Sequence, residues 1–178
     1  MEPALTAAPF AREFDRVTTP HLDAAYNLAR WLTRDPHDAE DVVQEAYLRA
    51  YRFFSGFRGG DGRAWLLAIV RNTCHSWLAR HRRPQAFQDF SELEEELAAP
   101  QDDGPEQQLL RECDRQQLVR ALTQLPLDFR EVLVLRELEE LSYQEIADIA
   151  AVPIGTVMSR LSRGRRLLRA RLEGHGEG

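Results

Sequence analysis

The chain has 178 residues, of which 43% are hydrophobic and 29% charged, as expected for a folded protein rather than a disordered one. No apolar run approaches the roughly 20 residues that a membrane-spanning helix needs, and the first residues lack the basic-then-apolar pattern of a signal peptide. The only cysteines are Cys74 and Cys113, which excludes a disulfide framework and a zinc site of four cysteines. We therefore expect a soluble, cytoplasmic, largely helical protein that does not insert into membranes.

The negative charge is concentrated in one segment. The net charge is −6, and all 23 basic residues are arginine. Residues 85–106 contain eight acidic residues and no basic one, whereas the chain before them carries a net +2 and the chain after them a net 0. Such a segment is typical of a solvated linker, and its carboxylates could also compete with nucleic acid for nearby basic surfaces. The sequence therefore predicts two domains, residues 10–84 and 107–173, joined by a flexible acidic linker at 85–106.

Helical patterns dominate the N-terminal half, and no strand alternation is convincing. Thr19-Pro20 and Asp35-Pro36 each place a capping residue before a proline, which predicts a helix start. The glycine-rich segment SGFRGGDG predicts a loop. The predicted elements are helices at residues 20–34, 36–54 and 63–83, with the loop at 55–62.

The C-terminal half is also predicted to be helical. Pro126 ends one helix, and Ser142 with Glu145 has the spacing of a capping box that begins another. The predicted helices are residues 107–125, 128–140, 143–150 and 153–172. The fold class is therefore all-α, with two small helical domains.

The last two helices have the pattern of a helix-turn-helix. The second helix has an apolar stripe at helical spacing, whereas polar residues near its start are predicted to point outward. In a recognition helix such residues read base edges in the major groove, and later arginines hold phosphates. An ordinary helical hairpin with a solvated arginine face is the alternative. The stripe is Val157, Leu161, Gly164, Leu168 and Leu172, and the candidate DNA-contacting residues are Thr156, Ser159, Arg160, Arg163 and Arg166.

The helix at 36–54 carries an acidic face with an apolar residue in it. An exposed leucine among charged side chains indicates a protein-binding surface, although a solvated charged face is the alternative. The candidate residues are Asp38, Asp41, Gln44, Glu45, Leu48 and Arg52.

The helix at 63–83 interleaves basic and aromatic residues beside the glycine-rich loop. Single-stranded DNA needs cations for its phosphates and flat surfaces for its unstacked bases, which this mixture offers. The alternative places the tryptophans in the core, and we favour it for at least one of them. The candidate residues are Arg58, Arg63, Trp65, Arg71, Asn72, Trp77, Arg80, Arg82 and Arg83.

Catalytic and metal-binding patterns are weak. The five histidines are scattered, and no glycine-rich phosphate loop precedes a suitable helix. Cys74, His75 and His81 lack a fourth ligand, so a buried thiol is the better interpretation of Cys74. We expect no enzymatic activity, no cofactor and no bound metal.

The order of these motifs is informative. DAEDVVQEAYLRAYR is followed by FSGFRGGDGRAWLLAIVRN, the acidic linker and LPLDFREVLVLRELEELSYQEIADIAAVPIGTVMSRLSRGRRLL. Over about residues 10–172 the sequence resembles the extracytoplasmic-function (ECF) branch of the sigma-70 family of bacterial sigma factors. A stand-alone helix-turn-helix regulator is the alternative, but it does not explain the two motifs of the N-terminal half.

The resemblance implies specific roles and partners. Residues 38–52 correspond to the helix that docks on the β′ clamp helices of core RNA polymerase, whose β subunit is a further expected contact. Residues 54–83 correspond to the region that reads and melts the −10 element, and the start of the last helix to the region that reads the −35 element. Met158 occupies a position where relatives often carry Arg or Lys. The implied partners of this expected monomer are core polymerase, promoter DNA and an anti-sigma factor.

Overall fold

The computed structural model describes residues 4–81, Leu93 and residues 105–174. Within these ranges every regular element is a helix, which confirms the predicted all-α class. None of the described helices is long and apolar enough to cross a membrane. The helices are α1 (Ala4–Thr18), α2 (Leu22–Thr33), α3 (Pro36–Phe53), α4 (Gly62–Arg80), α5 (Pro105–Thr123), α6 (Leu127–Leu133), α7 (Tyr143–Ala150) and α8 (Ile154–Gly174).

Two of the predicted helix starts are confirmed by their capping bonds. The Asp35 carboxylate accepts a hydrogen bond from the Asp38 backbone N–H at 3.0 Å, at the start of α3. At the start of α7, the Glu145 N–H donates to Ser142 Oγ and the Ser142 N–H donates to Glu145 Oε2. These bonds satisfy backbone donors that have no partner inside the helix.

The predicted cap at Thr19 is wrong. The chain is already helical through α1 and continues from Thr18 into α2 through a 3₁₀ turn at Thr19–His21, where no side chain caps the backbone. The Thr18 hydroxyl instead donates to the Phe14 carbonyl, 2.9 Å away and one turn earlier. Because α1 supplies the preceding turn, there is no isolated helix end at Thr19 to cap.

Helix α1 was not predicted, and it completes the N-terminal bundle of α1–α4. Phe14 is buried and makes edge-to-face contacts with Tyr47 and Phe54. Gly62, at the start of α4, lies so close to α1 that an added Cβ would come within 2.7 Å of the Val17 side chain. Glycine at this position therefore allows α4 to pack directly against α1.

Helices α5–α8 form a second bundle, and α7 and α8 are the predicted helix-turn-helix. Val157, Leu161 and Gly164 are buried, as the stripe predicted. An added Cβ at Gly164 would lie 3.1 Å from Leu133 Cδ1, so this glycine permits the close crossing of α6 and α8. The α6 helix continues through a π turn at Val134–Leu138 before α7 begins.

The two bundles pack against each other. The sequence predicted two domains joined by a flexible linker and gave no indication of this contact. Helix α4 contacts α7, and α2 contacts α6. The buried Arg130 guanidinium donates to the carbonyls of Leu32 in one bundle and of Thr123 and Leu125 in the other, at 2.9–3.0 Å. Most of the acidic linker at 85–106 lies outside the described residues, so its flexibility stays a prediction. Leu93 within it is buried.

Candidate nucleic-acid and protein interfaces

The start of α8 is exposed, as a recognition helix requires. Ser159, Arg163 and Arg166 lie on the solvent side, whereas Thr156 is half-buried. The Ser159 hydroxyl donates to the Thr156 carbonyl at 3.0 Å, so its hydrogen is used within the helix. Of these predicted contact residues, the two arginines are the exposed cationic donors.

Arg160 does not point outward as predicted. Its side chain is 22% exposed, and its Nη2 lies 3.6 Å from the Asp128 carboxylate at the start of α6. Arg160 lies on the flank of α8 that faces α6, where Asp128 is within reach of its long side chain. The predicted outward orientation is therefore corrected, because in this structure Arg160 forms an ion pair within the C-terminal bundle. Its contact with the −35 element stays a prediction.

The predicted protein-binding face of α3 borders an apolar groove. Leu48 is 60% exposed, and Asp41, Gln44 and Arg52 are exposed with it, whereas Asp38 is half-buried. Glu45 is half-buried and forms salt bridges with Arg49 and Arg80. The groove has a volume of about 630 Å³ and is lined by Leu22, Tyr26, Glu40, Val43, Gln44, Tyr47 and Leu48. An apolar floor with a polar rim is the anatomy of a protein interface.

Two arginines predicted to contact the −10 element are paired with the C-terminal bundle in this structure. Arg63 donates to the Glu139 carbonyl at 2.9 Å and forms a salt bridge with its carboxylate. Arg71 forms a two-pronged salt bridge with Glu131, whose side chain is 0% exposed. His75 Nε2 lies 3.2 Å from the same carboxylate. In this arrangement, the carboxylates of Glu131 and Glu139 pair with the arginines that DNA phosphates would otherwise contact.

Glu131 is ionised despite its burial. Burial raises the pKa of its carboxyl, but the hydrogen bonds from His75 and Arg71 and their attraction outweigh this, so the pKa lies below its ordinary value. For the neighbouring Arg130, burial together with Arg34 lowers the guanidinium pKa to about 9. Both groups are therefore charged at neutral pH.

The two tryptophans of α4 are half-buried. Trp65 packs against Phe54 and Phe57, with ring centroids 5.9 and 5.1 Å away. Trp77 stacks on His81 at 4.1 Å, and its buried Nε1 has no hydrogen-bond partner among the described residues. Both rings thus contribute to packing, in line with the core alternative. Of the remaining −10 candidates, Arg58, Asn72 and Arg80 are exposed, and Arg82 and Arg83 lie outside the described residues.

One group of side chains among the described residues has metal-ligand types. The ligand atoms of His75, Asp128 and Glu131 lie within 4.8 Å of one another. Arg71 and His75 already bind Glu131, and Arg160 pairs with Asp128, so we interpret the group as an ion-pair network. Nearby Cys74 is a buried thiol, and burial raises its pKa far above the ordinary value.

The residues that join the two bundles were missed by the sequence analysis. Arg130 and Glu131 fall in the predicted helix at 128–140 and were given no role there, although they interrupt the apolar run of LPLDFREVLVL. Adjacent opposite charges inside an apolar run indicate a buried ion pair, since buried charges are paired in folded proteins. Their partners in α2 and α4 could not be read from the sequence.

Two family models match the chain in the order of its two bundles. Sigma-70 region 2 matches residues 18–84, and Sigma-70, region 4 matches residues 115–168. The RNA polymerase sigma-H factor of Pseudomonas aeruginosa is 36% identical over 163 residues, covering 88% of this chain and 84% of that protein. The ECF RNA polymerase sigma-E factor of Escherichia coli K12 is 40% identical over 137 residues, covering 74% of this chain and 72% of that protein.

Solved structures show the same fold. The sigma factor RpoE in complex with the anti-sigma factor NepR, from Bartonella quintana, matches with a TM-score of 0.68 and 27% identity, covering 91% of this chain and 98% of that chain. CnrH in complex with the cytosolic domain of CnrY matches with a TM-score of 0.64 and 24% identity, covering 92% of this chain and 90% of that chain. Both matches span the two bundles.

Proposed function

Because the chain belongs to the sigma-70 family, as a member of its ECF branch, it is an alternative sigma factor, and we propose that its two bundles divide promoter recognition between them. Residues 10–84 bind core RNA polymerase and the −10 element, residues 107–173 bind the −35 element, and residues 85–106 connect them. The observation that carries the proposal is the presence, in one chain, of a helix-turn-helix with exposed arginines and a second bundle with an apolar docking groove.

We propose that the groove between α2 and α3 binds the β′ clamp helices, with the β subunit as a further contact. Leu48 and Val43 supply apolar surface, Gln44 supplies polar contacts at the rim, and the exposed Asp41 lies three residues before Gln44 on α3. Aliphatic side chains ringed by polar groups provide affinity by apolar burial and specificity by hydrogen bonding. Asp38, Glu45 and Arg52 would extend this surface along α3.

For the −10 element, we propose that the solvent side of α4 and the preceding loop bind the opened strand. Arg58, Asn72 and Arg80 are exposed in the described arrangement, whereas Arg63 and Arg71 are held by Glu139 and Glu131. Full engagement of the strand therefore requires the two bundles to separate. A sigma factor of this kind performs no chemical step, because binding of the unpaired strand offsets the unstacking of a few kcal/mol per base.

We propose an anti-sigma factor as the regulator and the cytoplasm, where transcription occurs, as the site of action. The RpoE structure that matches over both bundles is a complex with an anti-sigma factor. An inhibitor that binds both bundles would hold Arg63 and Arg71 in their pairs with the C-terminal carboxylates. The inhibitor would thereby keep the −10 surface closed without touching DNA.

Run-off transcription with purified core polymerase and genomic promoter fragments tests the function. We expect transcripts only when the chain is added, and no transcripts when it carries Leu48→Asp, which places a carboxylate in the apolar groove. The matched control is Phe53→Asp, because Phe53 is 67% exposed on α3 but does not line the groove. A chain that binds promoter DNA alone and never associates with core polymerase would be a stand-alone regulator, and the proposal would fail.

A further inference from the structure

The first two turns of α8 present apolar side chains to solvent where a recognition helix usually presents polar ones. Ile154 is 44% exposed and Met158 is 53% exposed. Residues four apart lie on the same side of a helix, so these two form one patch. Beside it, Gly155 has open space where a side chain would be. The patch is exposed although Arg63 and Arg71 of α4 are paired with carboxylates in the same structure.

The polar residues of these turns have other partners. The Ser159 hydroxyl donates to the Thr156 carbonyl, and Arg160 pairs with Asp128. Few hydrogen-bond donors of this part of the helix therefore face solvent: Thr156 is half-buried, and the exposed Ser159 hydroxyl can accept but has already donated its hydrogen. The exposed cations begin one turn later, at Arg163 and Arg166.

The patch lies on the helix that the proposed function places in the major groove. Further along the same helix the exposed residues include Arg163, Arg165, Arg166 and Arg169, which favours a polyanion as the occupant over an apolar protein surface. In the major groove the apolar feature of a base pair is the 5-methyl group of thymine, which contacts aliphatic side chains. A methionine is flexible enough to fit such a methyl group closely.

We propose that Met158, supported by Ile154, recognises thymine 5-methyl groups in the −35 element and makes this chain select thymine there. The proposal rests on the proposed function, because it assumes that α8 enters the major groove. It names the chemical group that the exposed apolar patch at the start of α8 reads. Burial of one methyl group is expected to change affinity about threefold to fourfold.

The test uses the full chain assembled with core polymerase. Promoters are first selected from a pool randomised over the −35 element, and each selected thymine is then replaced by deoxyuridine, which lacks only the methyl group. We expect one or two thymines whose replacement weakens binding about threefold to fourfold. Deoxyuridine in the spacer between the two elements is the control and should have no effect.

The protein side is tested with Met158→Gln, which keeps the length of the side chain but removes its apolar end. The variant should bind thymine and deoxyuridine promoters equally, whereas Met158→Leu should still distinguish them. Because Met158 is exposed, both variants should retain the helicity and melting temperature of the parent. A second measurement places 5-iodouracil at the sensitive position, and photocrosslinking should label the tryptic peptide of residues 137–160 in the parent but not in Met158→Gln.

The outcomes separate this proposal from the function on which it rests. If the assembled polymerase initiates at the selected promoters but no thymine-to-deoxyuridine change matters, thymine recognition is wrong and the sigma function stands. The same holds if the selected −35 elements contain no thymine. If Met158→Gln keeps full sensitivity to deoxyuridine, another residue contacts the methyl group and the role proposed for Met158 is wrong. The exposed patch would then be available to a protein partner. If no promoter-dependent initiation occurs at all, the proposed function itself fails.

Discussion

Removal of the Glu131 carboxylate should weaken the contact between the two bundles. Its side chain is 0% exposed and accepts hydrogen bonds from Arg71 and His75. Breaking a buried ion pair by removing one partner costs about 3–5 kcal/mol, because the remaining charge is left uncompensated. Arg71 is 15% exposed and His75 is 25% exposed, so both can regain part of their hydration. We therefore expect Glu131→Ala to lower the free energy of unfolding by about 3 kcal/mol, the lower end of that range.

Urea denaturation measured with two probes provides the assay. The three tryptophans are Trp31, Trp65 and Trp77, so their fluorescence reports only the N-terminal bundle. Far-ultraviolet circular dichroism reports the helices of both bundles. In the parent the two probes should give one shared transition, because the packed bundles unfold together. In Glu131→Ala the circular dichroism transition should begin at lower urea than the fluorescence transition.

Glu137→Ala is the matched control. Glu137 pairs with Arg165 at 2.7 Å, but the two side chains are 55% and 45% exposed. Such surface pairs contribute between 0 and about 1 kcal/mol, so the control should keep a single transition near the parent midpoint. The reasoning is refuted if Glu131→Ala destabilises the chain no more than Glu137→Ala, or if its two probes still coincide.

Three other predictions follow from charged residues. The pKa of the Glu131 carboxyl is lowered in the folded chain, so its contribution to stability is complete above the ordinary carboxyl pKa and is lost as the pH falls through the pKa of the folded state. Lowering the pH should therefore destabilise the parent more than it destabilises Glu131→Gln. Arg163→Ala should weaken promoter binding by about 1–3 kcal/mol if it contacts a base, and Arg160→Ala should weaken it less, as a filter-binding assay would show. Changing Glu92, Glu94, Glu95 and Glu96 to Gln should strengthen DNA binding by the free chain at low salt, as measured by anisotropy; overlapping curves would leave the linker as a tether only.

The local structure of the chain was largely predictable from sequence, because it depends on neighbouring residues. Capping at Asp35 and Ser142 and the buried stripe of Val157, Leu161 and Gly164 follow from spacing alone. Helix α1 escaped prediction because its role depends on packing, with Phe14 against aromatic rings of α3 and the turn that follows it.

The orientation of long cationic side chains was the least predictable feature of the candidate site. Arg160, Arg63 and Arg71 were all assigned to DNA, yet each pairs with a carboxylate distant in sequence. Helical periodicity gives the direction in which a side chain leaves the backbone, but an arginine guanidinium can reach several different partners from there. The packing of α6 and its π turn against α2, together with that of α7 against α4, brings Glu131 and Glu139 into reach.

In the closed arrangement, in which the two bundles pack against each other, Arg63 and Arg71 are paired with Glu139 and Glu131 and cannot also contact the promoter. Transcription initiation therefore has to follow a fixed order of events. If the closed arrangement is favoured by about 3 kcal/mol, only about one chain in 150 presents Arg63 and Arg71 to DNA, and the affinity for the −10 strand falls by that factor. The groove beside Leu48 and the patch at Met158 are exposed in the closed arrangement, so the affinity of partners that bind there is not reduced by this factor. Core polymerase can therefore dock on the closed chain first and use its binding energy to separate the bundles. Arg63 and Arg71 then become available only after the polymerase is bound, which prevents the free sigma factor from engaging the −10 strand fully.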